Sequence, residues 1–283
     1  MSAARPVLVG AVAYDPKVVT IWEIIKAYFE THGTPMDFVF YSNYPLLVTA
    51  LLDGDVDIAW NSPLAWLDAV RRGSDGVRAI AMRDTDRDRV SHVVVRADHP
   101  ARTVADLRGG TIAVGAADSP QATLIPLGLL AGAGLAPGVD VAVRRHDVLV
   151  GKHGDHVGGE RDALADLLAG RADACAMLDL NHAGWLADGT LDPARTRILA
   201  TTPPFDHCVF TVCGGLDAAA EAAWLATLFT MDYANPDHRT MMDLEGLKAW
   251  LPGRTSGFGP LAAAVEAFGF FEGRSVGSTA GGG

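Results

Sequence analysis

The chain is 283 residues long, 49% hydrophobic and 20% charged, with a formal net charge of −11. That is length enough for two α/β lobes with a sizeable core. The acidic balance argues against nucleic acid or an anionic membrane surface as a partner, but a local nest of backbone amides can still hold a small anion against so diffuse a field.

Met1 to Pro6 shows no charged n-region, apolar h-region and cleavage site in succession, and no stretch is long enough to cross a membrane. The three cysteines make no disulfide framework, which fits a reducing compartment. The expected location is therefore cytoplasmic, with export only if a leader is missing from the sequence.

Pro6 to Ala13 is an apolar run of strand length. Asp15 caps a helix opening at Pro16, and Val18, Ile21, Trp22, Ile25 and Tyr28 recur at helical spacing towards His32. Met36 to Tyr41 is a second strand. Tyr44 to Leu52 is a second helix, closed by Asp53-Gly54. Val56 to Trp60 is a buried strand running into Asn61-Ser62-Pro63, a polar cap followed by a proline whose φ suits the first helical position. Strand and helix alternate, which calls for a parallel sheet. Val77 to Met82 is another strand, and Arg83 to Arg89 is a run of alternating charges that reads as a solvated loop.

Val90 to Arg96 is a strand crossing towards a second lobe. Thr103 to Arg108 is a short capped helix and Thr111 to Ala116 a strand. Asp118-Ser119-Pro120 then opens a helix in the same way as Asn61-Ser62-Pro63. Val139 to Arg144 is a strand, His146 to Glu160 a glycine- and histidine-rich loop, and Leu164 to Leu168 part of a helix. Ala172 to Leu178 is a strand ending at Asp179. Arg197 to Thr201 and Cys208 to Val212 are strands, the second returning the chain to the first lobe. Residues 217–233, 238–250 and 259–270 read as three closing helices, and the tail from 273 to 283 as disordered.

Four phrases together resemble the phosphonate-, sulfonate- and transferrin-type substrate-binding family, the periplasmic binding protein fold of the second class. They are Leu8-Val-Gly-Ala-Val-Ala13, Asp55-Val-Asp-Ile-Ala-Trp-Asn-Ser-Pro-Leu-Ala65, Asp106-Leu-Arg-Gly-Gly-Thr-Ile-Ala-Val114 and Gly170-Arg-Ala-Asp-Ala174. The resemblance covers roughly residues 6–250. It implies an α/β protein of two lobes with mixed, mostly parallel sheets, residues 1–93 with 208–283 and residues 94–207. A two-segment hinge would close them on a ligand in the cleft between. In the phosphonate binders a serine/threonine-rich helix start in the second lobe cradles the anionic group. The matching stretch, Asp118-Ser119-Pro120-Gln121-Ala122-Thr123, keeps Ser119 and Thr123, lacks a Ser-Thr-Ser run and carries Asp118. Phosphate esters and carboxylates therefore stand beside phosphonates as expected ligands, and a transporter permease is the implied partner if the protein is exported.

A capped strand-to-helix turn presents free N–H groups at the carboxyl edge of a sheet, where ligands sit in open α/β folds. Asn61 and Ser62 in the first such turn, and Ser119, Gln121 and Thr123 in the second, are candidate ligand-binding residues. Asp179 heads a third and offers an acceptor to a ligand amine or hydroxyl. Tyr14 and Tyr41, at strand ends, are candidate aromatic walls, whereas Trp22 reads as core and Lys17 as an exposed first-turn lysine. The loop also places His146, Asp147, His153, Asp155 and His156 close in sequence. A set of His153, Asp155, His156 and His207 suits iron or zinc, and His153, His156 and His207 are the candidate catalytic proton carriers. Alternation along a strand from Asp206 sets His207 opposite Cys208, so the two are not expected to share a site.

Two functions follow. One is a binder of a small polar or anionic molecule, working by hydrogen bonding and hinge closure. The other is a cytosolic enzyme on the same fold, a lyase or synthase of cofactor biosynthesis drawing on the histidines. The sequence holds no Walker loop, Gly-X-Ser-X-Gly or His-Glu-X-X-His, which favours the binder.

Overall fold

The computed structural model of the protein describes residues 5–73, 76–155 and 158–273. Gly273 apart, the tail expected to be disordered lies outside the described residues. By contacts the chain forms two units, Met1–Arg87 with Asp206–Phe258, and Asp88–Phe205 with Gly259–Gly283.

The first unit opens with β1 (Val7–Val12), α1 (Lys17–Thr31), β2 (Met36–Tyr41), α2 (Tyr44–Asp53), β3 (Ile58–Asn61), α3 (Pro63–Arg72) and β4 (Val77–Arg83). The second follows with β5 (Ser91–Arg96), β6 (Thr111–Val114), α4 (Ile125–Gly132), β7 (Ala142–Arg145), α5 (Gly158–Leu168), β8 (Ala174–Leu178), α6 (Asp179–Ala187) and β9 (Thr196–Thr201). The chain then returns with β10 (Val209–Cys213), α7 (Ala218–Leu228), α8 (Pro236–Glu245) and β11 (Trp250–Pro252), and ends on α9 (Gly259–Phe268).

Each unit holds one mixed sheet, in the order β11-β4-β10-β3-β1-β2 and β7-β6-β8-β5-β9. Strands reached through a helical crossover pair in parallel, as β1 does with β2 and β3, and β6 with β7 and β8. The strands that enter each sheet from the other unit, β10 and β5, pair antiparallel to both neighbours. Asn61 consequently lies opposite Val209, at the carboxyl end of β3 and the start of β10.

Local chemistry fixes most of the element ends. Asn43 Oδ1 accepts from Leu46 N at 3.0 Å to start α2, which stops where Gly54 turns left-handed at φ 78°. In α1 the buried stripe is Val18, Ile21, Trp22, Ile25 and Phe29. Phe29, fully buried, takes the place expected of Tyr28, which is only partly covered. Its ring lies 5.3 Å from Trp224, which in turn packs edge-on to Phe210 at 5.0 Å.

Three expectations are corrected. The helix expected over 238–250 stops at Glu245, because Gly246 is left-handed at φ 75°, and Trp250–Pro252 forms an edge strand on β4. The helix over 259–270, expected in the first lobe, is α9 of the second unit and packs on α4. A Cβ at Gly128 would lie 3.1 Å from that of Ala264, so the helices approach closely there. Finally, the charged run from Arg83 is not a solvated loop. It holds a short 3-10 turn over Asp84–Asp86 in which Asp86 is 1% exposed.

Candidate functional site

In the first unit, β3 delivers Asn61 and Ser62 to the carboxyl edge of the sheet. Ser62 Oγ accepts from Ala65 N at 3.1 Å and so caps α3. Asn61 is fully buried, and neither Nδ2 nor Oδ1 has a hydrogen-bond partner among the described residues. An unsatisfied buried amide costs about 1–3 kcal/mol. A group kept in that state is one that a ligand or water completes.

Next to it, Asp86 organises the entry to β10. Its carboxylate takes Arg83 Nε at 2.6 Å and Nη2 at 2.8 Å, and its Oδ1 also accepts Cys208 N at 3.1 Å. The Asp86 carbonyl accepts His207 N at 2.7 Å. Arg83 is held in turn by Glu245 Oε1 at 3.0 Å and stacks 5.2 Å from the Trp60 ring centre. Burial pushes the Asp86 pKa up, but the Arg83 charge and hydrogen bonds outweigh it and bring the carboxyl down to about 2. Beside this pair, Asp206 takes Arg254 Nε at 2.7 Å and Nη2 at 2.6 Å.

His207 and Cys208 precede β10 rather than lying in it, so strand alternation does not separate them. His207 Nδ1 is 3.1 Å from Cys208 Sγ and 3.5 Å from Asp86 Oδ1, and His207 Nε2 is buried without a partner among the described residues. Asp86, His207 and Cys208 bring ligand atoms within 4.8 Å of one another. Both oxygens of Asp86 are already taken by Arg83, which a metal ion would have to displace.

The aromatic candidates divide. Tyr14 is partly buried against the main core, and Trp22 belongs to that core. Tyr41 closes β2 over Gly10, where a Cβ would sit 3.3 Å from the ring, and burial raises its hydroxyl pKa. Lys17 is exposed.

In the second unit the turn after β6 runs through Asp118 to a π-helical turn, Pro120–Leu124, that continues into α4. Ser119 Oγ accepts from Ala122 N at 3.2 Å. Ser119, Gln121 and Thr123 are at most 3% exposed, and Thr123 Oγ1 and Gln121 Oε1 have no partner among the described residues. Asp118 directs Oδ2 to Gly151 N at 2.5 Å, and burial raises its pKa. Asp179 is the first residue of α6. Its Oδ2 lies 3.3 Å from Arg89 Nη1, and its Oδ1 is without a partner among the described residues.

The histidine loop does not do what its composition suggests. His153 is 6% exposed, and burial alone drives its imidazole pKa down to about 3. It is neutral at physiological pH and cannot serve as a general acid there. His153 and Asp155 belong to the second unit and His207 to the first, while His156 lies outside the described residues. His146 is spent on Asp166 at 2.9 Å. The groups that sequence reasoning missed are Arg83, Asp86 and Arg254. Arg83 and Asp86 sit in a run of alternating charges that looks like surface, and Arg254 finds its partner, Asp206, only 48 positions away.

Two α/β units, each with capped helix starts at the carboxyl ends of parallel strands and orphaned polar atoms beside them, define a small-molecule-binding protein. The chain belongs to the family of periplasmic phosphonate substrate-binding proteins of ABC transporters, whose model matches residues 11–258. The fold is shared with PhnD1 from Prochlorococcus marinus (MIT 9301) in complex with methylphosphonate, at 16% identity and TM-score 0.68 over 93% of this chain and 98% of that one. It is shared with XAC2383 from Xanthomonas citri bound to ATP, at 19% identity and TM-score 0.70 over 93% and 98%. The periplasmic aliphatic sulphonate binding protein SsuA from Escherichia coli follows, at 15% identity and TM-score 0.60 over 97% and 91%. A 34-residue stretch, 12% of the chain, is 62% identical to an uncharacterized protein of Haemophilus influenzae (strain ATCC 51907 / DSM 11121 / KW20 / Rd). That match spans about half the length, 48%, of this curated relative.

The family overturns the expected cytoplasmic location. Its members are periplasmic, which points to an exported protein. The expectation rested on the first six residues and the three cysteines, whereas the family match rests on residues 11–258. Neither the family nor these structures supports the enzyme alternative or the iron or zinc site.

Proposed function

We propose that the protein binds a small phosphonate, or an anion of the same tetrahedral kind, and hands it to a transporter permease. The observation that carries this reading is the helix start at Ser119. Thr123 Oγ1 waits there buried and unpartnered among the described residues, a hydroxyl that can donate to an anion oxygen at the positive end of the helical segment. Gln121 Nε2 is a second side-chain donor at the same turn. Asn61 is the matching candidate in the first unit. Asp118, which weighs against an anion by its charge, spends Oδ2 on a loop amide.

Titration calorimetry with methylphosphonate, methanesulfonate and inorganic phosphate tests the reading. Methylphosphonate is expected to bind, and Ser119→Ala with Thr123→Val to weaken it about tenfold or more, the worth of one charge-assisted hydrogen bond. Absence of heat with all three probes would refute the anion reading.

A further inference from the structure

The glycine- and histidine-rich loop takes no part in the binding residues above, yet within the second unit it lies directly on them. The carbonyl of Gly154 accepts Gln121 Nε2 at 2.6 Å. Gly151 N is tied to Asp118 at 2.5 Å, and His153 is buried. A Cβ on Gly154 would stand 2.8 Å from Ser119 Cβ and 2.9 Å from Gln121 Nε2. The space enclosed by Gly115, Ser119, Ala122, Gly154 and Glu160 has no room for a water molecule. The loop reaches this seat through left-handed backbone at Leu149, at His153 (φ 51°) and at Gly154 (φ 73°), a conformation that non-glycine residues adopt at a cost.

A carbonyl oxygen on the Gln121 amide is, chemically, what an anionic ligand oxygen would be: an acceptor seated at the helix start. We propose that Gly151–Asp155 is a plug that occupies this seat in the empty protein. A phosphonate binds by displacing it, taking over Gln121 Nε2 and giving Thr123 Oγ1 a partner. This rests on the reading of Ser119–Thr123 as the anion seat. Asp118 is the staple that holds the plug down through Gly151. The strained backbone offsets part of what the plug's contacts contribute and makes the plugged state displaceable, and the apparent affinity is set by the fraction of molecules in which the plug is out.

Lys152 lies in the plug, so trypsin reads its state directly. Cleavage after Lys152 is expected to be slow in the empty protein and several-fold faster with saturating methylphosphonate. Gly154→Ala cannot seat the plug. It is expected to be cut fast with or without ligand, and to bind methylphosphonate about tenfold tighter. Asp118→Asn, which loosens the staple without adding bulk, should also be cut fast with or without ligand and serves if Gly154→Ala folds poorly. It is read by cleavage alone, because losing the carboxylate's charge favours an anion by itself. Wild-type cleavage rates in both variants, or slower cleavage on adding methylphosphonate, overturn the plug. If Ser119→Ala with Thr123→Val weakens binding while the plug variants behave as wild type, the seat stands and the plug alone is wrong. If that double variant leaves binding unchanged, the seat reading is what fails.

Discussion

Removing the Asp86 carboxylate by Asp86→Ala leaves Arg83 buried beside Glu245 alone, and strips Cys208 N of its acceptor. Truncating one partner of a buried pair costs about 3–5 kcal/mol, and the shared Glu245 contact puts the expected loss near 3 kcal/mol. The pH dependence gives an independent figure. Asp86 titrates at about 2 in the folded protein, against about 3.9 unfolded. A depressed acid contributes stability that is complete above the unfolded value and lost as pH falls through the folded one. The difference is worth roughly 2–3 kcal/mol at neutral pH, with about half gone at pH 3. Five of the six tryptophans, Trp22, Trp60, Trp66, Trp224 and Trp250, lie in the first unit, so urea unfolding followed by tryptophan fluorescence reads that unit. Asp86→Ala should lose about 3 kcal/mol at pH 7 and show a flatter acid limb than wild type. Arg83→Met with Asp86→Ala should recover part of the loss, because no charge is then left buried alone. A loss below 1 kcal/mol, or an unchanged acid limb, refutes the account of Asp86 as the anchor of the β10 entry.

Gly257→Ala should destabilise the first unit by more than about 2 kcal/mol in the same assay, because its Cβ would run into the Asp206 carboxyl paired with Arg254. His153 carries the opposite kind of group: a base whose folded pKa, about 3, is depressed below the unfolded value of about 6.5. The second unit should therefore lose stability as pH falls below 6.5, by up to about 2 kcal/mol at pH 5. His153→Asn, which tolerates the left-handed backbone, should flatten that slope when hydrogen exchange is followed between pH 7 and 5, leaving the share of His92 and His182, whose pKa values burial also lowers. Thiol labelling of the native protein should reach Cys213 first, with Cys175 and Cys208 modified only on unfolding, since both are buried and burial raises the Cys175 pKa.

What the sequence determined by itself was local. Asn43, Ser62 and Ser119 each cap the next helical turn within three residues. Gly54 ends a helix by a φ that only its own backbone decides. β2 lies over Met36–Tyr41, as its apolar run predicts, and Asn61 and Ser62 stand at the strand-to-helix turn where the cap and proline put them. Such features depend on neighbours in sequence, and periodicity and capping chemistry reveal them. The tertiary structure decided what depends on distant partners. Asp86 is anchored to Cys208, 122 positions away, and Gln121 to Gly154, 33 positions away. Arg83 and Asp86 alternate in charge like any surface run, and become a buried pair only once β10 and α8 close around them. The histidine loop invited a metal or a proton relay because composition reports which groups are present. Whether those groups face water, a ligand or the core is set by packing, and here packing buried His153 neutral and laid Gly154 on the helix start at Ser119.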